Sequence, residues 1–226
     1  QHEIVLESGD MEKAMHNLVK HLEEPRVGQS YPNYYASSLS SSFVKVVLSG
    51  TGGDELFGGY PWRYFQANPS DSFEKYIDKY YLYWQRLISN TELKKIFAPI
   101  SSETNHLVTR DIFRDVFPES MRGKSSNNEN YVNRSLYFEL KTFLHGLLAV
   151  EDKLSMAHGL ETRVPFLDND LVDFALKCPV NLKLKIDKNP YRVDENISEN
   201  KSELYFERTN NGKLLLREAM AKRLPS

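Results

Sequence analysis

Val44-Lys-Val-Val-Leu48 runs directly into Ser49-Gly-Thr-Gly-Gly-Asp-Glu-Leu-Phe-Gly-Gly-Tyr60. The first five residues are mostly β-branched and apolar, so they read as a buried strand. Glycines just past a strand describe a backbone built for close approach to a ligand. Small residues there let main-chain N–H groups converge on anionic oxygens without interference from Cβ. Ser49 adds a hydroxyl donor. Asp54 can ligate magnesium, a hard cation that usually shares its shell with substrate phosphates. Glu55 can orient a donor or cap a helix that begins here. Strand, glycine turn and carboxylates together read as a phosphate or metal site at the carboxyl edge of an α/β sheet. Taken alone, the loop fits better as a plain turn with solvated acids. It matches neither the P-loop nor the dinucleotide fingerprint.

Outward from this loop, Glu3-Ile-Val-Leu6 reads as a further strand and residues 10–23 as a helix. That helix has Met11, Ala14, Met15, Leu18, Val19 and Leu22 at helical spacing, Asp10 as its start cap, and Glu24-Pro25 at its end. Residues 30–42 form a second helix with Tyr34, Tyr35 and Leu39 on one face. Strands joined through helices imply parallel pairing, as in a doubly wound sheet. Beyond Tyr64, residues 72–98 read as helix with an aromatic stripe of Tyr76, Tyr80, Tyr81, Tyr83 and Trp84, which serves as core. Residues 119–130 are a polar loop, 132–157 a long helix, 170–177 a short helix stopped by Pro179, and 183–212 a charged, exposed excursion. A last helix covers 213–224. The organisation expected is a partial α/β sheet over residues 1–66 and a mostly helical remainder over 67–226.

Bulk composition narrows the class. At 226 residues with 40% hydrophobic and 12% aromatic content, the chain can bury a core and is not disordered. A net charge of −2 without a basic run gives no nucleic-acid footprint. No apolar run reaches the length of a membrane span and no signal peptide is visible. The single Cys178 excludes an internal disulfide, fits a reducing cytoplasm, and reads as a packed thiol near a helix end. The sequons at Asn133, Asn196 and Asn200 read as chance matches. Both ends look cut, so the chain reads as a piece of a longer polypeptide.

A second constellation is Glu151-Asp-Lys-Leu-Ser-Met-Ala-His-Gly-Leu-Glu-Thr-Arg-Val-Pro-Phe-Leu-Asp168. Its first three charges follow the apolar run Leu144–Val150, and charges that close to a core need pairing or a ligand. Glu161 and Arg163 alternate with their neighbours, suggesting an extended segment crossing the core. His158 reads better as a hydrogen-bonded structural imidazole than as a ligand. Glu161, Arg163 and Asp168 read as members of structural ion pairs.

The two constellations, with His21-Leu-Glu-Glu-Pro25 upstream and Gly212-Lys-Leu-Leu-Leu-Arg-Glu-Ala219 downstream, resemble the synthetase domain of glutamine-dependent asparagine synthetases. Residues 67–130 and 184–211 contribute little to this. The resemblance implies an ATP pyrophosphatase fold and a two-step reaction. ATP activates the aspartate side chain as β-aspartyl-AMP, and ammonia, released from glutamine by a separate N-terminal glutaminase domain, displaces AMP. It implies ATP and Mg2+ as cofactors, a cytoplasmic enzyme, and compatibility with a homodimer. Carried over by position, Ser49, Gly50, Gly52 and Gly53 contact ATP, Asp54 binds magnesium and pyrophosphate, and Glu151 positions or deprotonates the amine.

Thr51 departs from the family, which usually has an acid there linked to the acyl-adenylate; a hydroxyl cannot act as a carboxylate base. The family's Ser-Gly-Gly-x-Asp-Ser loop and its later lysine segment lie outside residues 1–226, and the chain by itself is expected to be inactive. Two other readings stay open. One is a related amidotransferase acting on a sugar acid, peptide or β-lactam precursor. The other is a non-catalytic nucleotide-binding module.

Overall fold

Hydrogen-bond demand, rather than apolar content, decides where this chain forms strands. The computed structural model describes residues 1–24, 30–67, 71–85, 88–123, 128–186, 203, 205 and 208–224. In order these form α1 (Asp10–Leu22), α2 (Ser30–Ser41), β1 (Val46–Leu48), α3 (Gly53–Phe57), α4 (Pro61–Tyr64), α5 (Phe73–Trp84), α6 (Asn90–Ile96), α7 (Ser101–Thr104) and α8 (Thr109–Asp115). They continue with α9 (Asn128–Phe138), α10 (Leu144–Met156), β2 (Glu161–Arg163), α11 (Asn169–Lys177), α12 (Val180–Lys183) and α13 (Leu214–Met220). A π-helical turn, Glu139–Phe143, joins α9 to α10. The protein is therefore α/β, mostly helical, with a small parallel sheet of two strands. Among the described residues no helix is long and apolar enough to cross a membrane.

The chain divides into two compact units. Unit one comprises Gln1–Gly53 and Thr142–Leu176; unit two comprises Asp54–Lys141 and Lys177–Ser226.

In unit one, β1 pairs with β2 in the register Val46 to Glu161, Val47 to Thr162 and Leu48 to Arg163. The ladder is extended by Glu161 N–H to Lys45 O at 2.9 Å and Ser49 N–H to Arg163 O at 2.8 Å. This corrects two expectations. Residues 3–6 are irregular, with Val5 83% exposed, because three apolar residues without a ladder partner do not make a strand. The stretch at 44–48 is a strand only from Val46 and is not buried, Leu48 being 73% exposed. Glu161 and Arg163 do lie on an extended segment, yet both are exposed; their mutual ion pair at 2.8 Å contributes ~0–1 kcal/mol.

The helices of unit one pack as their periodicity predicts. Ala14, Leu18 and Leu22, four apart on α1, meet Leu154 of α10 and the rings of Tyr31, Tyr34 and Tyr35 on α2. The alternate apolar set, Met11, Met15 and Val19, faces outward. Gly9, not Asp10, holds the α1 N-cap position; Asp10 opens the helix and accepts Glu7 N–H at 2.7 Å. At the other end Lys153 donates to Leu22 O at 2.6 Å, satisfying one of the carbonyls a helix leaves open.

In unit two the aromatic stripe of α5 is core. Tyr76, Ile77 and Tyr80 are fully buried with Phe113, Phe117, Tyr131 and Phe138. Residues 72–98 are not one helix. Ser89 and Glu92 form a reciprocal capping box that starts α6 afresh, a signal legible in Ser89-Asn-Thr-Glu92. Cys178 is buried, as a packed thiol should be. Much of 119–130 and 183–212 lies outside the described residues. Where the second stretch is described, Tyr205 and Asn211 are buried, which corrects the expected exposure at those positions.

Candidate active site

In unit one the strand β1 ends where the glycine loop starts, and the loop's side chains turn onto α10. Thr51 Oγ1 donates to Glu151 Oε2 at 2.6 Å, across a separation of 100 residues. Ser49 Oγ stands 3.0 Å from Thr51 Oγ1 and accepts Thr51 N–H at 3.2 Å. With the Thr51 proton committed to the carboxylate, Ser49 is the donor to Thr51. The result is a directed chain, Ser49 to Thr51 to Glu151. Thr51, where the sequence departs from the family, and Glu151, the candidate for the amine step, are thus brought into contact.

The same unit explains the glycines and the Val-Pro-Phe-Leu-Asp segment. Gly52 has φ +96°, and a Cβ there would fall 2.4 Å from Leu167 Cδ2. Neither the conformation nor the space admits a side chain. Phe166 lies beside Gly53. The second motif therefore supports the first from behind. Among the described residues Asp168 has no ion-pair partner; its Oδ1 accepts Asp170 N–H at 3.0 Å and Leu171 N–H at 3.4 Å, as the N-cap of α11. His158 packs its ring 4.5 Å from Tyr34. Burial, and then the nearby His21, hold it below the usual histidine range, which suits a structural imidazole.

In unit two, Asp54 lies in the first turn of α3. Its Oδ1 pairs with Lys213 Nζ at 2.7 Å, both side chains being about one-third exposed. A Cβ on Gly59 would sit 1.7 Å from that oxygen, so the carboxylate occupies space only a glycine leaves open. Lys213 holds a left-handed backbone, φ +50°, and donates its N–H to Phe57 O at 3.2 Å. In the sequence Gly212-Lys213 lies in the downstream motif, and nothing in its residue types points to Asp54. The pairing needed the fold, because Asp54 and Lys213 are far apart in the chain.

Glu55 does not cap α3 with a solvated side chain. It is 1% exposed and accepts the Tyr60 phenol at 3.2 Å. Burial, reinforced by the Asp54 charge, pushes its carboxyl above the usual range, while its hydrogen bonds and Arg63 pull the other way. Burial likewise keeps Tyr60 protonated, with the Asp54 and Glu55 charges adding to the effect.

Among the described residues no group of three or more His, Cys, Asp and Glu side chains could hold a metal by itself. Asp54 offers a single carboxylate, about one-third exposed and paired with Lys213; a lone carboxylate can supply one magnesium ligand where phosphates supply others.

The family described as Asparagine synthase matches residues 1–226, the whole chain. The chain belongs to the asparagine synthase family. It is 28% identical over 197 residues to Asparagine synthetase [glutamine-hydrolyzing] 1 of Bacillus subtilis (strain 168), an alignment covering 74% of this chain and 30% of the relative. Asparagine synthetase [glutamine-hydrolyzing] 3 of the same organism is 28% identical over 180 residues, covering 74% and 27%. Amidase chry2 of Gibberella zeae is 24% identical over 196 residues, covering 66% and 28%. The chain thus spans under one-third of the length of these three relatives.

Proposed function

We propose that this chain is part of the synthetase domain of an ATP-dependent amide-forming enzyme. In it aspartate is activated as β-aspartyl-AMP and attacked by ammonia supplied from glutamine by a separate N-terminal domain. The observation that carries the reading is the 2.6 Å hydrogen bond between Thr51 and Glu151, which joins the two family motifs. The fold assigned is of the ATP pyrophosphatase type, with residues 1–66 in its α/β core and 67–226 in its helical remainder. We assign it to the cytoplasm.

Ser49 and the backbone of Gly50, Gly52 and Gly53 bind the nucleotide, where N–H groups free of side chains face anionic oxygen. Asp54 holds magnesium, which neutralises charge gathering on the phosphates when bound. Lys213 keeps that carboxylate oriented. Glu151 takes a proton from the attacking amine, and Thr51 holds the Glu151 carboxylate while Ser49 holds Thr51.

Thr51 also favours a second reading, in which the acceptor is another carboxylate, such as a sugar acid, peptide or β-lactam precursor. The likeness to a relative named as an amidase supports that breadth.

The test separates the two half-reactions in the full-length protein. Glu151→Gln should retain carboxylate-dependent ATP–pyrophosphate exchange and lower amide formation by ~10²-fold or more. Equal loss of both would remove Glu151 from the amine step. Exchange with another carboxylate and none with aspartate would select the second reading.

A further inference from the structure

Unit two contains a chain of buried charge that the amide-forming reading leaves without a task. Glu55, next to Asp54, accepts the Tyr60 phenol at 3.2 Å. The Arg63 guanidinium lies over the Tyr60 ring, 4.0 Å from its centroid. Its Nη1 stands 4.0 Å from Glu139 Oε2, with side-chain exposures of 10% and 0%. Glu139 opens the π-helical turn and accepts the Tyr80 phenol at 3.4 Å. One arginine therefore stands between two buried carboxylates.

A buried ion pair is seldom more stable than apolar residues of the same volume, so stability alone does not account for this one. π-Helical turns also concentrate at functional sites. Through Tyr60 the pair adjoins the turn that follows Asp54. Gly59 N–H donates to Asp54 O at 2.7 Å, and the adjacent Tyr60 N–H donates to the Tyr64 phenol at 3.3 Å. The Asp54 carboxylate lies in the space that Gly59 leaves. Tyr60 follows Gly59 directly in the chain, so the position of its ring bears on the space that the Asp54 carboxylate occupies.

We propose that Arg63 and Glu139 are positioning residues for Asp54, acting through the stacked and hydrogen-bonded Tyr60. The inference rests on the assignment of Asp54 to magnesium, and it extends the site to two residues of α4 and the π-helical turn that touch no reacting atom.

The test uses the full-length protein with three variants: Arg63→Met, Glu139→Gln and the apolar double replacement Arg63→Met/Glu139→Leu. Two quantities are read: calorimetric affinity for Mn2+ with a non-hydrolysable ATP analogue, and the Mg2+ dependence of ATP–pyrophosphate exchange. Melting temperature reports folding. The double variant should melt within a few degrees of the parent while metal–nucleotide affinity falls about tenfold or more. Half-saturating Mg2+ should rise in step, with a smaller change in kcat at saturation. Glu139→Gln should show the same loss, and it serves as the reading should the double variant fail to fold. Parent-like affinity in any folded variant overturns the proposal, as does a parent that binds no metal–nucleotide. Weakened affinity in a protein without exchange activity would uphold the positioning role and reject the synthetase reading instead.

Discussion

Gly59 makes the dependence of chemistry on one missing methyl group concrete. Its Cβ would lie 1.7 Å from Asp54 Oδ1, so Gly59→Ala must rotate or displace that carboxylate. The expected outcome is a fall of about tenfold or more in Mg2+–nucleotide affinity, read by calorimetry, with circular dichroism unchanged. Thr51→Val probes the other side of the loop. It leaves Glu151 without its donor at nearly constant volume, and amide formation should fall ~10-fold or more while Thr51→Ser restores most of it. These residues differ in how far sequence alone reveals them. The glycines, Thr51, Asp54 and Glu151 lie inside compact motifs, and the roles expected of them come from the family those motifs resemble. Lys213, Arg63 and Glu139 do not, because their meaning comes from partners distant in sequence. Asp168 shows the converse, a charge beside an apolar run whose need is met by two backbone N–H groups rather than by an ion partner.

Helix periodicity was legible and strand pairing was not. Ala14, Leu18 and Leu22 repeat every four residues, which by itself fixes a buried stripe. A strand depends on a partner found elsewhere in the chain. Hence β1 is legible from its β-branched run, residues 3–6 carry a strand-like pattern without forming a strand, and the pairing of β1 with Glu161–Arg163 is visible only in the fold. Leu154 is fully buried in the helical core of unit one. Leu154→Ala should destabilise the protein by ~2–5 kcal/mol in urea titration. Where α8 crosses α5, Arg110 and Arg114 both hold Glu74, at 2.8 Å each. Those bonds lower the Glu74 pKa from 4.5. The contribution is thus complete above the ordinary carboxylate value and fades as pH falls through the lower folded value. Because the side chains are exposed, Glu74→Gln should cost little at pH 7, and the gap between variant and parent should narrow further in acid.

For the molecule as a whole, the central claim is that a hydroxyl and a carboxylate from two distant motifs form one hydrogen-bonded pair that serves the amine step. The fold places Thr51 and Glu151 in contact, and the proposed reaction gives such a pair work to do. The most direct measurement is a paired assay of the full-length protein and its Glu151→Gln variant with aspartate, Mg2+ and ammonia. ATP–pyrophosphate exchange should persist in the variant, and asparagine formation should drop by ~10²-fold or more. Asparagine formation at the parent rate in that variant would contradict the account.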